Sequence, residues 1–146
     1  MFWSDETIDK ELEFLRIGAL KDSFAYIYPL WRSLLHRWLL EQEAVVTIAT
    51  PAIDALRLSD LAKLLLLSHP NKNLDWVYAN INTTNHRSQV LNDFPLSVKP
   101  YIEYFLFNRI LYPVKPVNCT FIARVKDGKA DVIVTSASLS SDSFGC

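Results

Sequence analysis

Charge of one sign is what this chain most clearly lacks: 15 Lys and Arg stand against 16 Asp and Glu, a net charge of −1 over 146 residues. A protein that recognises nucleic acid through phosphates carries a basic excess, so nucleic acid is not the expected partner. Cysteine is scarce too. Cys119 and Cys146 cannot build a disulfide framework, which suits a reducing compartment. No apolar run approaches the roughly 18–20 residues of a spanning helix. The opening MFWSDETIDKELEF is acidic and has none of the apolar stretch of a secretory signal, so the sequons at Asn82 and Asn118 carry no weight and the expected location is cytoplasmic. No Cys/His cluster at ligand spacing is present, so neither a metal nor another cofactor is expected.

Half of the residues are hydrophobic and 21% are charged, the composition of a globular chain long enough for one core. Ser4-Asp5-Glu6-Thr7 starts a helix with Ile8, Leu12 and Leu15 on its apolar face, and a second helix is expected over 29–42. The run AVVTIAT at 44–50 is continuously apolar and β-branched, as suits a central parallel strand covered on both faces. Ser59-Asp60 introduces the leucine-rich helix LAKLLLLSH. LDWVYANI at 74–81 reads as a strand, 86–94 as a short helix, and PYIEYFLFNRIL at 100–111 as an aromatic helix with Pro near its start. This order predicts an α/β fold, a layered sheet with helices on both faces and right-handed crossovers. Residues 1–43 form an N-terminal helical segment and 44–146 the sheet-bearing part of what is one domain overall.

The most informative stretch is FIARVKDGKADVIVTSASLSSDSFG, 121–145. Two runs of strand formers flank Asp127-Gly128, a strong hairpin pair because Gly accepts positive φ. The exit Thr135-Ser136-Ala137-Ser138-Leu139 crowds hydroxyls where a strand ends, a place that can offer hydroxyls and backbone N–H groups to an anion. This pattern resembles the phospholipase D superfamily signature, His-x-Lys, then Asp-Gly, then Gly-Ser-x-Asn, and the resemblance covers about residues 40–145, one half-domain. It implies a site built from two such halves, with His as nucleophile, Lys and Asn holding phosphate, and Asp orienting the His. The matching positions here are Asn118, Cys119 and Thr120 for His-x-Lys, Asp127 for the Asp, and Ser138 for the Asn. Six residues separate Thr120 from Asp127, against the family's usual four. Imposing the strict spacing puts the two positions on Thr120 and Ile122 instead, and neither register restores a His or a Lys.

An amide is no nucleophile at neutral pH and a lone Thr needs an activating base, so the resemblance implies a kept scaffold with lost chemistry. Of the three histidines, His36, His69 and His86, none is followed by Lys two residues later. Anion binding without turnover is the expectation at Ser136 and Ser138, with Lys126 and Lys129 as nearby cations. The aromatics Tyr101, Tyr104, Phe105 and Phe107 cover most of one helix, which predicts an isologous dimer or a second phospholipase D-like half against it; a membrane-facing patch is the weaker reading. The expected function is a catalytically inactive binding or assembly module with a residual site for a phosphate-bearing ligand. The alternative is an active phosphodiesterase or phospholipid hydrolase completed by a second half or partner chain.

Overall fold

The computed structural model describes residues 2–16, 24–68, 73–80, 84–135 and 139, without the side chains of 14–16, 24–28, 84 and 85. Helix α1 (Asp5–Arg16) is capped by Ser4, whose Oγ accepts the Thr7 N–H at 3.2 Å, and Asp5 and Glu6 complement its dipole. Helix α2 (Phe24–Leu40) begins five residues before the expected Pro29 and keeps that proline inside. Its buried Leu30, Trp31, Leu34, Leu35, Trp38 and Leu39 recur at helical spacing and carry the helix through a proline that can donate no hydrogen bond. Trp31 and Trp38 are both buried in the core.

Strand β1 (Val45–Thr50) leads to helix α3 (Ala55–Leu67), strand β2 (Leu74–Ala79), helix α4 (Thr84–Leu91) and helix α5 (Lys99–Phe105). The start of α3 lies earlier than Ser59-Asp60: Asp54 is the cap, its Oδ1 accepting the Arg57 N–H at 3.0 Å. The aromatic helix is shorter than expected. It stops at Phe105, a 3-10 turn spans Phe107–Arg109, and Ile110–Leu111 form strand β3, paired with Val77 and Tyr78. The open edge of β2 captures residues whose local pattern suits a helix, so tertiary pairing overrides propensity. Strands β4 (Thr120–Lys126) and β5 (Lys129–Thr135) make the expected hairpin, with Asp127 at φ 53° and Gly128 at φ 75°, the paired positive values of a type I′ turn.

The sheet order is β3-β2-β1-β4-β5; β1, β2 and β3 run parallel, and β4 is antiparallel to β1 and β5. The sequence was expected to cover both faces with helices, and among the described residues only one is covered. Helix α3 touches α2, α4 and α5, α2 touches α1, and the core unites Ile8, Trp31, Leu58, Leu65 and Ile102 with Val46, Ile48, Val77 and Ile122 of the sheet. The cause is topological. From β1 to β2 to β3 the chain steps in one direction, and right-handed crossovers stepping one way fall on one face. Helices α1 and α2 share this core through Ile8, Trp31, Leu34 and Trp38. Among the described residues no helix is long and apolar enough to cross a membrane.

The covered face has a polar end at each extreme. At the start of β1, Arg124 donates to Glu41 Oε1 at 2.6 Å and to Asp131, and its Cζ lies 5.3 Å from the Trp38 ring centroid. Burial opposes that charge, but hydrogen bonds and attraction from Asp131 and Glu41 prevail and hold its pKa above arginine's ordinary value. At the other end the ladder aligns Ala79, Thr50, Thr120 and Thr135. A Cβ on Gly128 would meet nothing within 4 Å, so Gly128→Ala tests backbone conformation alone. It is expected to cost about 1 kcal/mol in urea unfolding, while Asp127→Asn, which tolerates the left-handed region, stays near neutral.

Candidate functional site at the carboxyl end of the sheet

The carboxyl ends of β1 and β2, the first residue of β4 and the last of β5 converge, which is where α/β sheets usually hold ligands. The convergence is organised by the Thr50 hydroxyl. It donates to the Ala52 carbonyl at 2.9 Å, accepts the Leu139 N–H at 3.0 Å and lies 2.8 Å from Thr120 Oγ1. A hydroxyl has one proton, and Thr50 gives it to Ala52, so Thr120 is the donor in the third bond. Both threonines are fully buried. Leu139 is buried as well, its carbonyl accepting the Asp54 N–H at 3.3 Å, so the chain beyond β5 is fastened beside the β1–α3 turn.

A second clamp holds the approach to β4. Asn80, next after β2, donates from Nδ2 to the Val117 carbonyl at 2.8 Å and accepts the Val117 N–H at its Oδ1 at 2.9 Å. These two bonds imitate a strand pair and place Asn118 and Cys119 at the crevice, Asn118 exposed and the Cys119 thiol half-buried. Ser136 and Ser138 lie outside the described residues, and so does His69; Thr135 opposite Thr120 and Leu139 beside Thr50 bracket the two serines in the chain.

Other expected members are elsewhere. Asp127 is in the hairpin turn, a full strand from Thr120, about 24 Å at ~3.4 Å per residue. No direct contact can orient residues 118–120 from there. Lys126 and Lys129 pair with each other across the same turn, and Lys126 Nζ is 3.6 Å from Glu41 Oε2. They were expected beside the serines, and the antiparallel hairpin carries them to the opposite end of the sheet. A cation that does approach the crevice end is Arg57, nearly buried, which lines a small hollow of about 20 Å³ with Leu139, Ile48 and Trp31 and lies 3.6 Å from Asp60. His86 sits half-buried in α4. Among the described residues no group of three or more His, Cys, Asp or Glu side chains gathers to hold a metal ion.

Thr50 and Asn80 were not singled out from the sequence. The available signal was positional: each is a polar residue closing an apolar strand, where α/β folds present their ligand-facing groups. Chemically the crevice can donate and accept hydrogen bonds, but its two buried hydroxyls are consumed by the fold.

A roomier hollow, about 470 Å³, opens at the other end of the molecule between the N-terminal residues and α2, with Phe2, Trp3, Ser33, His36 and Glu41 on its walls. Phe2 stacks on His36 at 4.0 Å and 8°, Arg32 Cζ lies 4.3 Å from the Phe2 ring centroid, and the Trp3 N–H donates to Ser33 Oγ at 2.9 Å. Burial and then the nearby Arg32 charge hold the His36 pKa below its ordinary 6.5. The folded state thus disfavours the imidazolium.

Two measurements follow from this geometry. Thr50→Val strands the Leu139 N–H, the Thr120 O–H and the Ala52 carbonyl together, and is expected to cost about 2–3 kcal/mol in chemical denaturation; Thr120→Val removes one donor and leaves the Thr50 bonds to Ala52 and Leu139, costing about 1 kcal/mol. Equal losses would contradict the role of Thr50 as the shared centre of the three bonds. For His36, a lowered folded pKa means that its contribution to stability is complete above about pH 6.5 and is lost as pH falls below it. Thermal unfolding is expected to weaken from pH 7.5 to 5.5, and His36→Phe to flatten that slope. No family model, curated protein or solved structure matches this chain, so the site is described by its own residues alone.

Proposed function

We propose that this chain is a phospholipase D-like α/β module whose chemistry has been lost and which acts by binding or assembly. The observation that carries the reading is the fate of Thr120. The signature requires a cationic head at this position, facing a phosphate; here a fully buried hydroxyl is spent on Thr50. The flanking Asn118 offers an amide where the signature has its nucleophile. The reading is supported further by the hairpin, which sets Thr135 opposite Thr120, and by Leu139, whose N–H is held by Thr50. What such a crevice retains is hydrogen bonding, and its ligand is an oxyanion of the phosphate class held by backbone N–H groups and the hydroxyls of Ser136 and Ser138, not by Lys126 or Lys129.

Turnover of a chromogenic phosphodiester, phosphatidylcholine and single-stranded DNA decides between this reading and an active phosphodiesterase. The wild type is expected to hydrolyse none of them above buffer, and inorganic phosphate to raise its unfolding temperature in a manner abolished by Ser136→Ala. Turnover that survives purification would overturn the silent reading. Reinstating the signature cation by Thr120→Lys is expected to destabilise the fold by several kcal/mol, because it places an ammonium group at a position without solvent.

A further inference from the structure

Among the described residues, no helix covers the face of the sheet opposite α2 and α3, and that face is apolar. Register places Leu111, Tyr78, Ala49, Phe121 and Val134 in one unbroken row across all five strands. Thr47, Ala123 and Val132 form a second row and Val45, Val125 and Ala130 a third. None of these eleven side chains is charged. Val45, Val125, Val132 and Val134 are 43, 46, 53 and 60% exposed, Phe121 and Tyr78 are partly buried, and Ala49 is buried between them. Isolated surface apolar groups are ordinary, but a contiguous patch of this extent marks an interaction surface. Parallel strands in particular are normally covered on both faces.

We propose that this face packs against the same face of a second copy of the chain, forming a two-fold β-sandwich. Size is the first argument. Five strands at ~4.8 Å and up to seven residues at ~3.4 Å span roughly 20 by 24 Å, so two copies bury on the order of 1,000 Å², the lower range for a specific interface. Shape is the second. Thr47, Ala49 and Ala123 make a low centre on β1 and β4, with Tyr78 on β2, Phe121 on β4 and Val132 and Val134 on β5 standing higher around it. A two-fold operation sets the higher rim of one copy over the low centre of the other, the large-against-small fit of packed sheets ~10 Å apart. Charge is the third: none of the eleven side chains in these rows is charged, so the face does not repel a copy of itself. The aromatic helix α5 is the weaker candidate, because Tyr101 packs on the core and meets Phe105 at 4.7 Å with the rings tilted by 43°, leaving Tyr104 as its exposed ring.

This proposal is independent of the silent-site reading, since association and turnover are read separately. Sedimentation of the full chain from about 5 to 200 µM is the test. The wild type is expected to move as a species of twice the 16.8 kDa chain mass. Val132→Lys/Val134→Lys is expected to be monomeric throughout, a loss of at least about 100-fold in affinity, and Tyr104→Lys to remain dimeric. Val134→Thr keeps the strand-forming shape and serves if the double variant unfolds, with an expected weakening of about tenfold. A monomeric wild type, a dimer indifferent to both β5 variants, or a monomer that floats with phosphatidylserine vesicles would each overturn the proposal.

Discussion

At the end of β1 a single oxygen, Thr50 Oγ1, meets three groups that come from three parts of the chain: the Ala52 carbonyl, the Leu139 N–H and the Thr120 hydroxyl. Each would otherwise be a buried polar group without water, at about 1–3 kcal/mol apiece. Their joint satisfaction is what lets β4 start beside β1 and lets the chain return after β5. The same arrangement limits what position 120 can do. A residue cannot both close a buried junction and present a charged head to a phosphate, because the first requires a short neutral donor and the second a solvated or anion-paired cation. Position 120 has taken the first role.

Electrostatics along the hairpin points the same way. Lys126 and Lys129 are about 20 Å from the crevice, where a unit charge contributes roughly 0.2 kcal/mol in water before salt is considered. With a Debye length of about 8 Å in physiological salt, even that disappears. Lys126 is in any case turned to Glu41, within the ion group that Arg124 builds at the other end of the sheet. An anion at the crevice would therefore depend on local dipoles. Arg57 stands behind Leu139 but faces Asp60 at 3.6 Å, which offsets its charge locally.

What could be read from the sequence was what is local. The Asp127-Gly128 turn, the two hairpin strands and the apolar stripe of α2 all announce themselves over a few residues. The Thr50–Thr120 bond spans 70 positions, and neither threonine differs in its neighbourhood from any other β-branched strand residue. Strand β3 is invisible for a related reason: Ile110 and Leu111 continue a helical pattern and become a strand only because β2 has a free edge. Asp54 was hidden by a second plausible cap at Ser59-Asp60, five residues further on. The distance from Asp127 to the crevice was legible in principle, since a hairpin turn must lie one strand length from the strand ends, yet the motif's linear closeness suggests contact.

The one-faced cover is the deepest consequence of strand order, which no local pattern encodes. Had β2 and β3 lain on opposite sides of β1, the two right-handed crossovers would have fallen on opposite faces and both would be clothed. Because the chain steps one way, Val45, Val125, Val132 and Val134 are left facing outward on a sheet whose central strand is apolar on both sides. At ~25 cal/mol per Å², an apolar face of about 500 Å² withholds on the order of 10 kcal/mol that a partner surface would recover before association costs. The crevice and this outward face are thus set by the same five strands, the one by where β1 and β2 end and the other by the order in which they lie.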